Sequence, residues 1–446
     1  MFNLKEYVDF DILFDSEGKL NKDYANEKGL RMTIYNGKAL MRYNKSKLNK
    51  DNIKTLGLFR SVIYDIAEKK IICFSPPKSH QYEDFSNEHN YDDCIPMNFI
   101  EGTMINVFWD STTKNMEIST KSNIGANCYF DVGKNKLSFK DMFWESFKNV
   151  CKKYIKDNDI GIVDPQDPTH MIPGAYPQET NICFSMILQH PKNRIVTRFK
   201  EYNLYLVGIY QLNDDFTVEP MCDHLIDYYT KNMLYKTPFY SHAVGTEHLY
   251  LYDNSKSFED IQDKYHAKNL DYTHMGLVMY SKSTGFHTKI RNKNYEYVRR
   301  LKGNNIKPQY RYHELRKEGK VDEFLNYFPE YNAIFNCYRD DIYNLIHQLY
   351  NYYVSCFIKH EMKLKDAPYI FKPHLYNLHG IYLKDLRNKG EYITKKITNQ
   401  YVNALEIPKI MFFTNYNIKN NKGLFDEFKK KKINKETNKK NTIEMV

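Results

Sequence analysis

The larger part of the chain is patterned for β-strands. Up to about residue 291, short alternating or β-branched runs are separated by turn residues. Such runs predict antiparallel strands and hairpins, here SVIYDIAEKKIICF, TMINVFWDSTTKNMEIST, NRIVTRF and LYLVGIYQL. The stretch FKDMFWESFKNVCKKYI predicts a helix between them.

The pattern changes from about residue 293 to residue 405. Apolar residues recur there at spacings of three and four, which predicts helices, in YEYVRRLKG, KVDEFLNYFPEYNAIFNCYRDDIYNLIHQLYNYYVSCFIK and GEYITKKITNQYVNAL. The aromatic residues of the long middle stretch fit a helical core, or a surface on which single-stranded bases stack. The sequence therefore predicts an α+β protein, with mixed antiparallel sheets followed by an α-helical C-terminal domain.

The end of the chain has few core-forming residues. Nine lysines lie between residues 419 and 440, in NIKNNKGLFDEFKKKKINKETNKKN and its flank. This composition predicts a basic, disordered tail, which is either a solvated terminus or an electrostatic clamp for nucleic acid. The predicted divisions are a strand-rich domain over 1–291, a helical accessory domain over 292–405 and the tail over 406–446.

Composition limits the class of protein. The 446 residues are 42% hydrophobic and 15% aromatic, which indicates a globular chain. The eight cysteines form no CxxC pair and no zinc-binding spacing, which fits a reduced intracellular compartment. The sequence has neither a secretory leader at its start nor a run of about 18 apolar residues. We therefore expect a soluble, cytoplasmic protein without membrane contact.

Charge adds a weaker indication. The 65 Lys and Arg exceed the 55 Asp and Glu, giving a formal net charge of +10 and a pI near 8.8. This excess is compatible with a polyanionic partner. Lys, Asn, Ile and Tyr are all abundant, which is typical of an AT-rich coding sequence. A large DNA virus of protists is therefore a plausible source, with the viral factory or the virion as the location.

A series of motifs follows in a characteristic order. In chain order they are LFRSVIYD (58–65), FSPPKS (74–79), FIEGTMINVFWD (99–110), EISTKSNIGA (117–126), CFSMILQHPKNRIV (183–196), MGLVMYSK (275–282) and HTKIRNKNYEYVRRL (287–301). Together they resemble the nucleotidyltransferase domain of ATP-dependent RNA ligases of the T-even phage tRNA-repair type. The resemblance covers about residues 55–291, and implies an RNA-ligase-like nucleotidyltransferase fold there.

The resemblance also implies a chemistry that this sequence carries only in part. The family uses a lysine in a K-x-D-G motif to form a lysine–AMP bond, and then joins a 5′-phosphate to a 3′-hydroxyl. Glu101 and Gly102 match the second half of that motif, which places Phe99 on the lysine. The strand 184–188 lacks the expected acid, and Met275 replaces a metal-binding glutamate. The resemblance therefore implies a ligase-like protein without its nucleophile and metal ligands.

The basic positions of the motifs remain. The resemblance implies a nucleotide- or phosphate-binding pocket formed by Arg60, Phe99, Glu101, Gly102, Lys121, Lys289 and Arg291. Arginine is the better bidentate phosphate ligand, while lysine acts as a point charge. Alternatively, these residues are fold determinants and ordinary solvated charges.

A displaced nucleophile is the second possibility. Lys78, in the rigid PPKS turn, is the first candidate, and Lys289 is the second. Glu101 or Asp110 could then supply a carboxylate, although no metal site is assigned from the sequence. ATP and Mg²⁺ would be the cofactors of such an active enzyme.

Two features outside the motifs complete the sequence-based predictions. The segment 299–320 interleaves basic and aromatic residues, which indicates RNA contact or a solvated helix face; the predicted RNA-binding residues are Arg299, Arg300, Lys302, Tyr310 and Arg311. His190 is expected to be a strand-end or loop residue rather than a catalytic base.

Three functions are therefore open. The first is a pseudo-ligase that binds a nucleotide or RNA ends, such as those of tRNA, and serves in RNA repair without lysine adenylylation. The second is an active ATP-dependent RNA ligase with a displaced lysine. The third is a structural or virion protein that uses the fold as a scaffold.

Overall fold

Fourteen strands and six α-helices begin within the part of residues 1–300 that the structure describes. This computed structural model describes residues 1–129, 137–157, 181–221, 255–267, 269–304 and 307–420, with side chains omitted for 151–157 and 417–420. The chain divides into two compact units, Met1–Arg300 and Leu301–Val446.

The strands of the first unit form three antiparallel sheets. Their bounds are β1 Phe2–Asn3, β2 Leu30–Tyr35, β3 Lys38–Tyr43, β4 Val62–Asp65, β5 Lys70–Phe74, β6 Cys94–Asn98, β7 Thr103–Asp110, β8 Asn115–Thr120, β9 Asn123–Ile124, β10 Ile182–Gln189, β11 Asn203–Leu212, β12 Thr217–Pro220, β13 Gly276–Ser281 and β14 His287–Arg291. The seven-stranded sheet has the order β1-β12-β11-β10-β7-β8-β9, the four-stranded sheet β2-β3-β4-β5, and the three-stranded sheet β14-β13-β6.

Helices cover these sheets. Their bounds are α1 Phe10–Leu13, α2 Lys22–Glu27, α3 Tyr82–Glu88, α4 Phe139–Asp157, α5 Phe258–His266 and α6 Lys293–Lys302. Helix α4 packs Phe143 and Phe147 against one face of the seven-stranded sheet, where they meet Phe184 and Met186 of β10. The other face of β10 is covered as well, so its central residues are all buried. Burial on both faces explains why this strand reads as a continuous apolar run.

The opposite face of the seven-stranded sheet has two neighbours. Phe108 and Cys183 share one core with the four-stranded sheet. Further along the same face, Met104, Ile187 and Val207 line a cavity together with Val278 and Lys289 of the three-stranded sheet. Two sheets therefore face each other across a cleft, and the motif residues Arg60, Phe99 and Lys289 lie at this cleft.

The described part of the second unit, 301–304 and 307–420, consists of helices joined by turns and loops. Its helices are α7 Pro308–Glu318, α8 Val321–Tyr327, α9 Asn332–Tyr353, α10 Lys372–Ile381, α11 Lys395–Ala404 and α12 Ile407–Asn420, and α6 ends in this unit at Lys302. Leu349, Leu375 and Val402 are fully buried in its core. The aromatic residues of α9 divide between two environments, because Phe335 and Tyr353 are buried while Tyr343 is 59% exposed.

The predicted α+β class, with antiparallel sheets followed by helices, is confirmed. The prediction of a strand at NRIVTRF (193–199) is wrong, because this segment is a loop. Its backbone N–H groups at Val196 and Thr197 bond to the Glu101 carboxylate rather than to a neighbouring strand. The predicted disordered tail, 406–446, is wrong over its first part, because Ile407–Asn420 form helix α12, which buries Ile410 and Phe413 in the helical core. From 421 onward the tail prediction lies outside the described residues. Within the described ranges, every helix is too short or too polar to cross a membrane.

Candidate functional site

Strand β14 brings two cations to the cleft. Lys289 and Arg291 are two residues apart and therefore project from the same face of the sheet. The strand pairs with β13, which places Lys289 opposite Val278 and Arg291 opposite Gly276. The K-x-R pattern in the sequence thus becomes a pair of neighbouring positive charges.

Phe99 lies directly beneath this pair. Its N–H donates to the Gly276 carbonyl at 2.9 Å, which fixes its backbone at the end of β13. The Lys289 Nζ is 4.9 Å from the centroid of the Phe99 ring, and the Arg291 Cζ is 5.4 Å from it. Both lie within the range of a cation–π interaction. The residue at the nucleophile position of the motif is therefore an aromatic platform for two cations.

Three more cations complete the cluster. Arg60 and Lys78 lie close enough to repel the Lys289 ammonium, as does Lys121. Burial lowers the pKa of Lys289 well below its usual range, and the neighbouring positive charges lower it further. Burial also lowers the pKa of Lys121 to about 8, with Arg60 contributing. The structure thus brings together the four cations predicted to bind phosphate and the candidate nucleophile Lys78. We call Arg60, Lys78, Lys121, Lys289 and Arg291 the basic cluster.

The basic cluster has little internal compensation. Among the described residues, Lys78, Lys121 and Lys289 have no carboxylate within ion-pair distance. Arg291 forms an ion pair with Glu296, and Lys78 donates to the Ser79 carbonyl at 2.9 Å. Partly buried cations that lower one another's pKa values are stabilised by a bound anion. The arrangement is therefore suited to hold phosphate groups.

Two cavities adjoin the basic cluster. The inner cavity, between the two sheets, measures about 40 Å³, and its walls include Phe99, Met104, Ile187, Val207 and Tyr280. The outer cavity measures about 330 Å³; it is lined by Lys78, Ser79, His80, Gln81, Tyr82, Glu83, Gln262, His266, Lys289, Ile290 and Arg291. Lys289 lines both cavities. The inner cavity is small and mainly apolar, whereas the outer cavity is larger and polar.

Glu101 lies away from both cavities. Its carboxylate accepts hydrogen bonds from the Val196 N–H at 2.7 Å and from the Thr197 N–H at 3.1 Å. The Thr197 hydroxyl donates to it at 2.9 Å. The side chain is 5% exposed and anchors the loop 193–199. Its predicted part in nucleotide binding, or as a metal ligand, has no supporting contact in this structure.

Gly102 and Gly276 are explained by close packing of strands. A Cβ at Gly102, where φ is +155°, would lie 2.5 Å from Ile187 Cγ2 and 2.6 Å from the Leu188 carbonyl oxygen. A Cβ at Gly276 would lie 2.1 Å from the Ile290 carbonyl oxygen. Both positions therefore require glycine for the packing of the sheets, whether or not a ligand binds.

No group of three or more His, Cys, Asp or Glu side chains suited to a metal occurs within the described ranges. Asp110, the other carboxylate considered from the sequence, is at the far end of β7. It pairs with the buried Lys38 at 2.9 Å and accepts from the Thr112 N–H at 3.0 Å. In the part of the chain that the structure describes, Glu101 and Asp110 therefore do not form a carboxylate site for Mg²⁺ beside the basic cluster.

The basic segment 299–320 is largely committed to internal bonds. The Arg311 guanidinium donates to the Leu301 carbonyl oxygen and pairs with Glu314 at 3.0 Å. Arg299 approaches Glu296 at 3.4 Å, and Arg300 donates to the Glu296 backbone carbonyl at 3.3 Å. These contacts stabilise the ends of helices α6 and α7. RNA contact by these residues, with Lys302 and Tyr310, remains a prediction.

His190 is held in place by hydrogen bonds to neighbouring residues. Its Nε2 lies 3.1 Å from a Glu145 carboxylate oxygen, and its Nδ1 accepts from the Lys192 N–H at 3.1 Å. Because Nδ1 is an acceptor, the ring proton is on Nε2 and bonds to Glu145. Tyr202 donates to the same carboxylate at 3.1 Å. The ring therefore joins the end of β10 to helix α4, in agreement with the expected strand-end position.

Sequence motifs missed several residues of the outer cavity. His80 directly follows the PPKS turn and is two residues from Lys78, so its place in the sequence could have indicated that it lies near the site. Gln262 and His266 come from α5, which lies outside every motif. The Tyr82 hydroxyl donates to the Phe258 carbonyl at 2.5 Å and connects α3 to the first turn of α5. Only the folded chain reveals that this helix borders the basic cluster.

No family model matches the chain, and no curated protein matches it either. Among solved structures, an archaeal ATP-dependent RNA ligase is similar at 12% identity and a TM-score of 0.38, over 71% of this chain and 70% of that one. A putative ATP-dependent DNA ligase from Aquifex aeolicus shares 10% identity at a TM-score of 0.33, over 82% of this chain and 79% of that one.

An RNA ligase from Naegleria gruberi, as a lysine variant with ATP and Mn, shares 12% identity at a TM-score of 0.30. The match covers 60% of this chain and 75% of that chain. Similarity at this level does not by itself assign an activity. The resemblance to the T-even phage type stays a prediction.

Proposed function

We propose that this chain is a ligase-like nucleotidyltransferase-fold protein that binds a nucleotide or an RNA end without forming a lysine–AMP bond. The observation that carries the proposal is the basic cluster around Phe99. Four cations expected from motif order converge there with Lys78, while the position expected for the nucleophile carries an aromatic ring. The site therefore combines anion binding with the loss of the covalent step.

Phosphate binding follows from the charges. The Arg291 guanidinium and the ammonium groups of Lys78 and Lys289 line the same cavity. Charge-assisted hydrogen bonds to phosphate oxygens are stronger than neutral ones. A bound phosphate would also relieve the mutual repulsion that lowers the pKa of Lys289. We expect RNA ends and nucleotides to be the partners that supply this phosphate.

The direct test looks for the covalent bond. Purified protein is incubated with α-labelled ATP and Mg²⁺ or Mn²⁺, and denaturing electrophoresis then shows whether label stays with the chain. We expect no labelled band, together with measurable non-covalent binding of ATP and of 5′-phosphorylated RNA by isothermal titration calorimetry. If neither ligand binds, the proposed function is wrong.

One observation favours the second candidate, an active ligase with a displaced nucleophile. Lys289 lies beside the Phe99 platform, and its lowered pKa increases the fraction of neutral amine that can act as a nucleophile. In this mechanism Nζ attacks the α-phosphorus of ATP, a P–N bond forms, the P–O bond to pyrophosphate breaks, and Nζ loses its proton. A labelled band that disappears in Lys289→Ala but persists in Lys78→Ala would establish this function. Persistence in Lys289→Ala and loss in Lys78→Ala would identify Lys78 instead.

A further inference from the structure

The two cavities at Lys289 differ in what they can hold. Ligand pockets usually measure about 300–1,000 Å³, and the outer cavity, at about 330 Å³, reaches that range. The inner cavity, at about 40 Å³, does not. A single water needs about 10–15 Å³ of comparable space, so the inner cavity has room for a few water molecules at most.

Phe99 contributes to the small size of the inner cavity, because it is one of the residues that line it. Its ring lies in the cleft between the sheets, with Ile187 and Met104 on the wall formed by the seven-stranded sheet. Met97 and Val278 line the cavity from the three-stranded sheet. A purine or pyrimidine ring could enter only if Phe99 or these strands moved. The cleft therefore offers no room for a nucleotide base.

The outer cavity offers the opposite chemistry. Lys78, Lys289 and Arg291 supply three positive charges, and Glu83 is the single carboxylate in the lining. Gln81, Gln262 and His266 add neutral polar groups. Cations and amide donors in a space of this size suit a phosphate and the sugar attached to it.

His80 provides a second, independent indication. The residue is 5% exposed and lines the outer cavity, and its Nε2 has no hydrogen-bond partner among the described residues. A buried ring nitrogen without a partner costs stability, and this one belongs to a residue of the cavity wall. Its backbone is fixed, because the His80 N–H donates to the His287 carbonyl at 2.9 Å and its carbonyl accepts from the Thr288 hydroxyl at 3.1 Å.

We infer that the outer cavity recognises its ligand by a terminal phosphate and not by a base. The phosphate lies among Lys78, Lys289 and Arg291, and the base stays outside the cleft that Phe99 fills. This inference rests on the proposed function, since it specifies the ligand of the same site. The shared chemistry is a phosphate monoester or polyphosphate, whose source is either an RNA end or a free nucleotide.

Calorimetric titration of the full chain with matched ligands tests the inference. The probes are ATP, GTP, CTP and UTP, together with tripolyphosphate and adenosine. We expect the four nucleotides and tripolyphosphate to bind within about threefold of one another, because all five offer the same phosphate groups to the cavity. A threefold spread in affinity corresponds to less than about 1 kcal/mol. Adenosine, which has no phosphate, is expected not to bind. A preference of tenfold or more for ATP over CTP or tripolyphosphate would overturn the inference while leaving the proposed function intact. If no phosphate ligand binds, the proposed function itself fails.

A second set of ligands distinguishes the sources. A short RNA with a 5′-phosphate is compared with the same RNA carrying a 5′-hydroxyl, at one fixed salt concentration. Tighter binding of the phosphorylated strand than of any triphosphate identifies an RNA end as the ligand. Tighter binding of the triphosphates identifies a free nucleotide, and either result supports recognition by phosphate. Equal binding of the two strands, with no binding of triphosphates, contradicts it.

Two variants connect the result to the geometry. Arg291→Met is expected to weaken tripolyphosphate binding at least tenfold, whereas Lys200→Met, at an exposed loop position, provides the matched loss of charge elsewhere. Phe99→Ala enlarges the inner cavity, so we expect ATP to gain at least threefold over tripolyphosphate. Equal affinities for the two ligands in a folded Phe99→Ala protein would contradict the role of Phe99. If that variant does not fold, the comparison of ligands on the natural chain decides alone.

Discussion

Lys289 illustrates how a residue proposed to bind a ligand can reduce stability. Four other cations repel its ammonium, and it has no carboxylate partner among the described residues. Removing that charge should therefore relieve repulsion. We predict that Lys289→Met raises the free energy of unfolding by on the order of 1 kcal/mol, measured by urea denaturation without ligand.

The same substitution should abolish the extra stability that tripolyphosphate gives the natural chain. Lys200→Met serves as the control and should change neither quantity appreciably, because exposed surface charges contribute little. A Lys289→Met protein that is less stable and still gains stability from tripolyphosphate would show that the ammonium is not part of the anion site.

The lowered lysine pKa values predict a pH dependence of binding. Lys121 titrates at about 8, and the pKa of Lys289 is also below its usual value. Both amines lose protons as the pH rises, so the affinity for tripolyphosphate should fall between pH 7 and pH 9. Calorimetry at constant ionic strength measures this fall. A constant affinity across this range would contradict it.

The stability of the unliganded chain should change in the opposite direction. Because the folded-state pKa of each lysine is below its unfolded value, the unfolded chain binds more protons between the two values. The contribution of Lys121 to the free energy of unfolding therefore increases as the pH rises through about 8, and that of Lys289 changes in the same direction. Urea denaturation at pH 7 and pH 9, compared between the natural chain and Lys121→Met, isolates the part due to Lys121.

Glu101 should matter for stability more than for binding. Its carboxylate accepts two backbone N–H groups and one hydroxyl of the loop 193–199. Glu101→Ala leaves these donors without their acceptor, which should cost about 2–3 kcal/mol in the free energy of unfolding. Glu101→Gln keeps one acceptor oxygen and should cost less. Loss of tripolyphosphate binding in a folded Glu101→Gln protein would instead indicate a direct role at the site.

At the scale of elements, the contact between β13 and β14 depends on Gly276. A Cβ there would come within 2.1 Å of the Ile290 carbonyl oxygen, next to Lys289. We predict that Gly276→Ala destabilises the chain by at least about 3 kcal/mol, through strand separation or backbone strain. Circular dichroism during thermal unfolding measures the loss.

Gly380 provides the matched control for that substitution. It lies within α10, where an added Cβ would meet no atom within 4 Å. Gly380→Ala should therefore stabilise the chain by about 0.5–1 kcal/mol. Equal effects at both glycines would show that the strand contact does not decide the outcome.

The elements that the sequence predicts well are those with one dominant pattern. The hairpins at 61–74 and 103–120, the strand at 204–212 and helix α4 all appear where apolar spacing placed them. NRIVTRF failed because its β-branched residues resemble a strand, while a distant carboxylate, that of Glu101, takes its N–H groups. A local pattern contains no information about such a distant partner.

The site was predictable to the extent that it follows chain order. The cations of the basic cluster were all identified from their motifs, and the structure brings them together. The outer cavity could not be predicted from the sequence, because Gln262 and His266 reach it from a helix that no motif includes. Nor could spacing alone show that Glu101 anchors a loop instead of lining a cavity.

For the whole molecule, two separate parts of the chain should contribute to the binding of an RNA strand. The basic cluster would hold a terminal phosphate, whereas the segment 421–446 contains eight lysines and few apolar residues. Each phosphate neutralised on a single strand changes the slope of log K against log salt concentration by about 0.7. We predict that deleting 421–446 reduces this slope for a 5′-phosphorylated RNA by at least that amount, as measured by fluorescence anisotropy.

Tripolyphosphate distinguishes the two parts of binding. Its affinity should be the same with and without 421–446, because it has no strand for the lysines to contact. An unchanged slope for RNA after the deletion would show that the terminal segment is a solvated end. A decrease in affinity for tripolyphosphate would indicate that these lysines act at the phosphate site itself.

The close approach of β10 to Gly102 has a consequence for how this part of the sequence should be read. Packing alone accounts for the pair Glu101-Gly102, since the Glu101 carboxylate holds a loop and Gly102 leaves space for Ile187 and Leu188. A stable fold would require these two residues with or without catalysis. A search pattern built on them would therefore report a packing arrangement, and would say nothing about turnover.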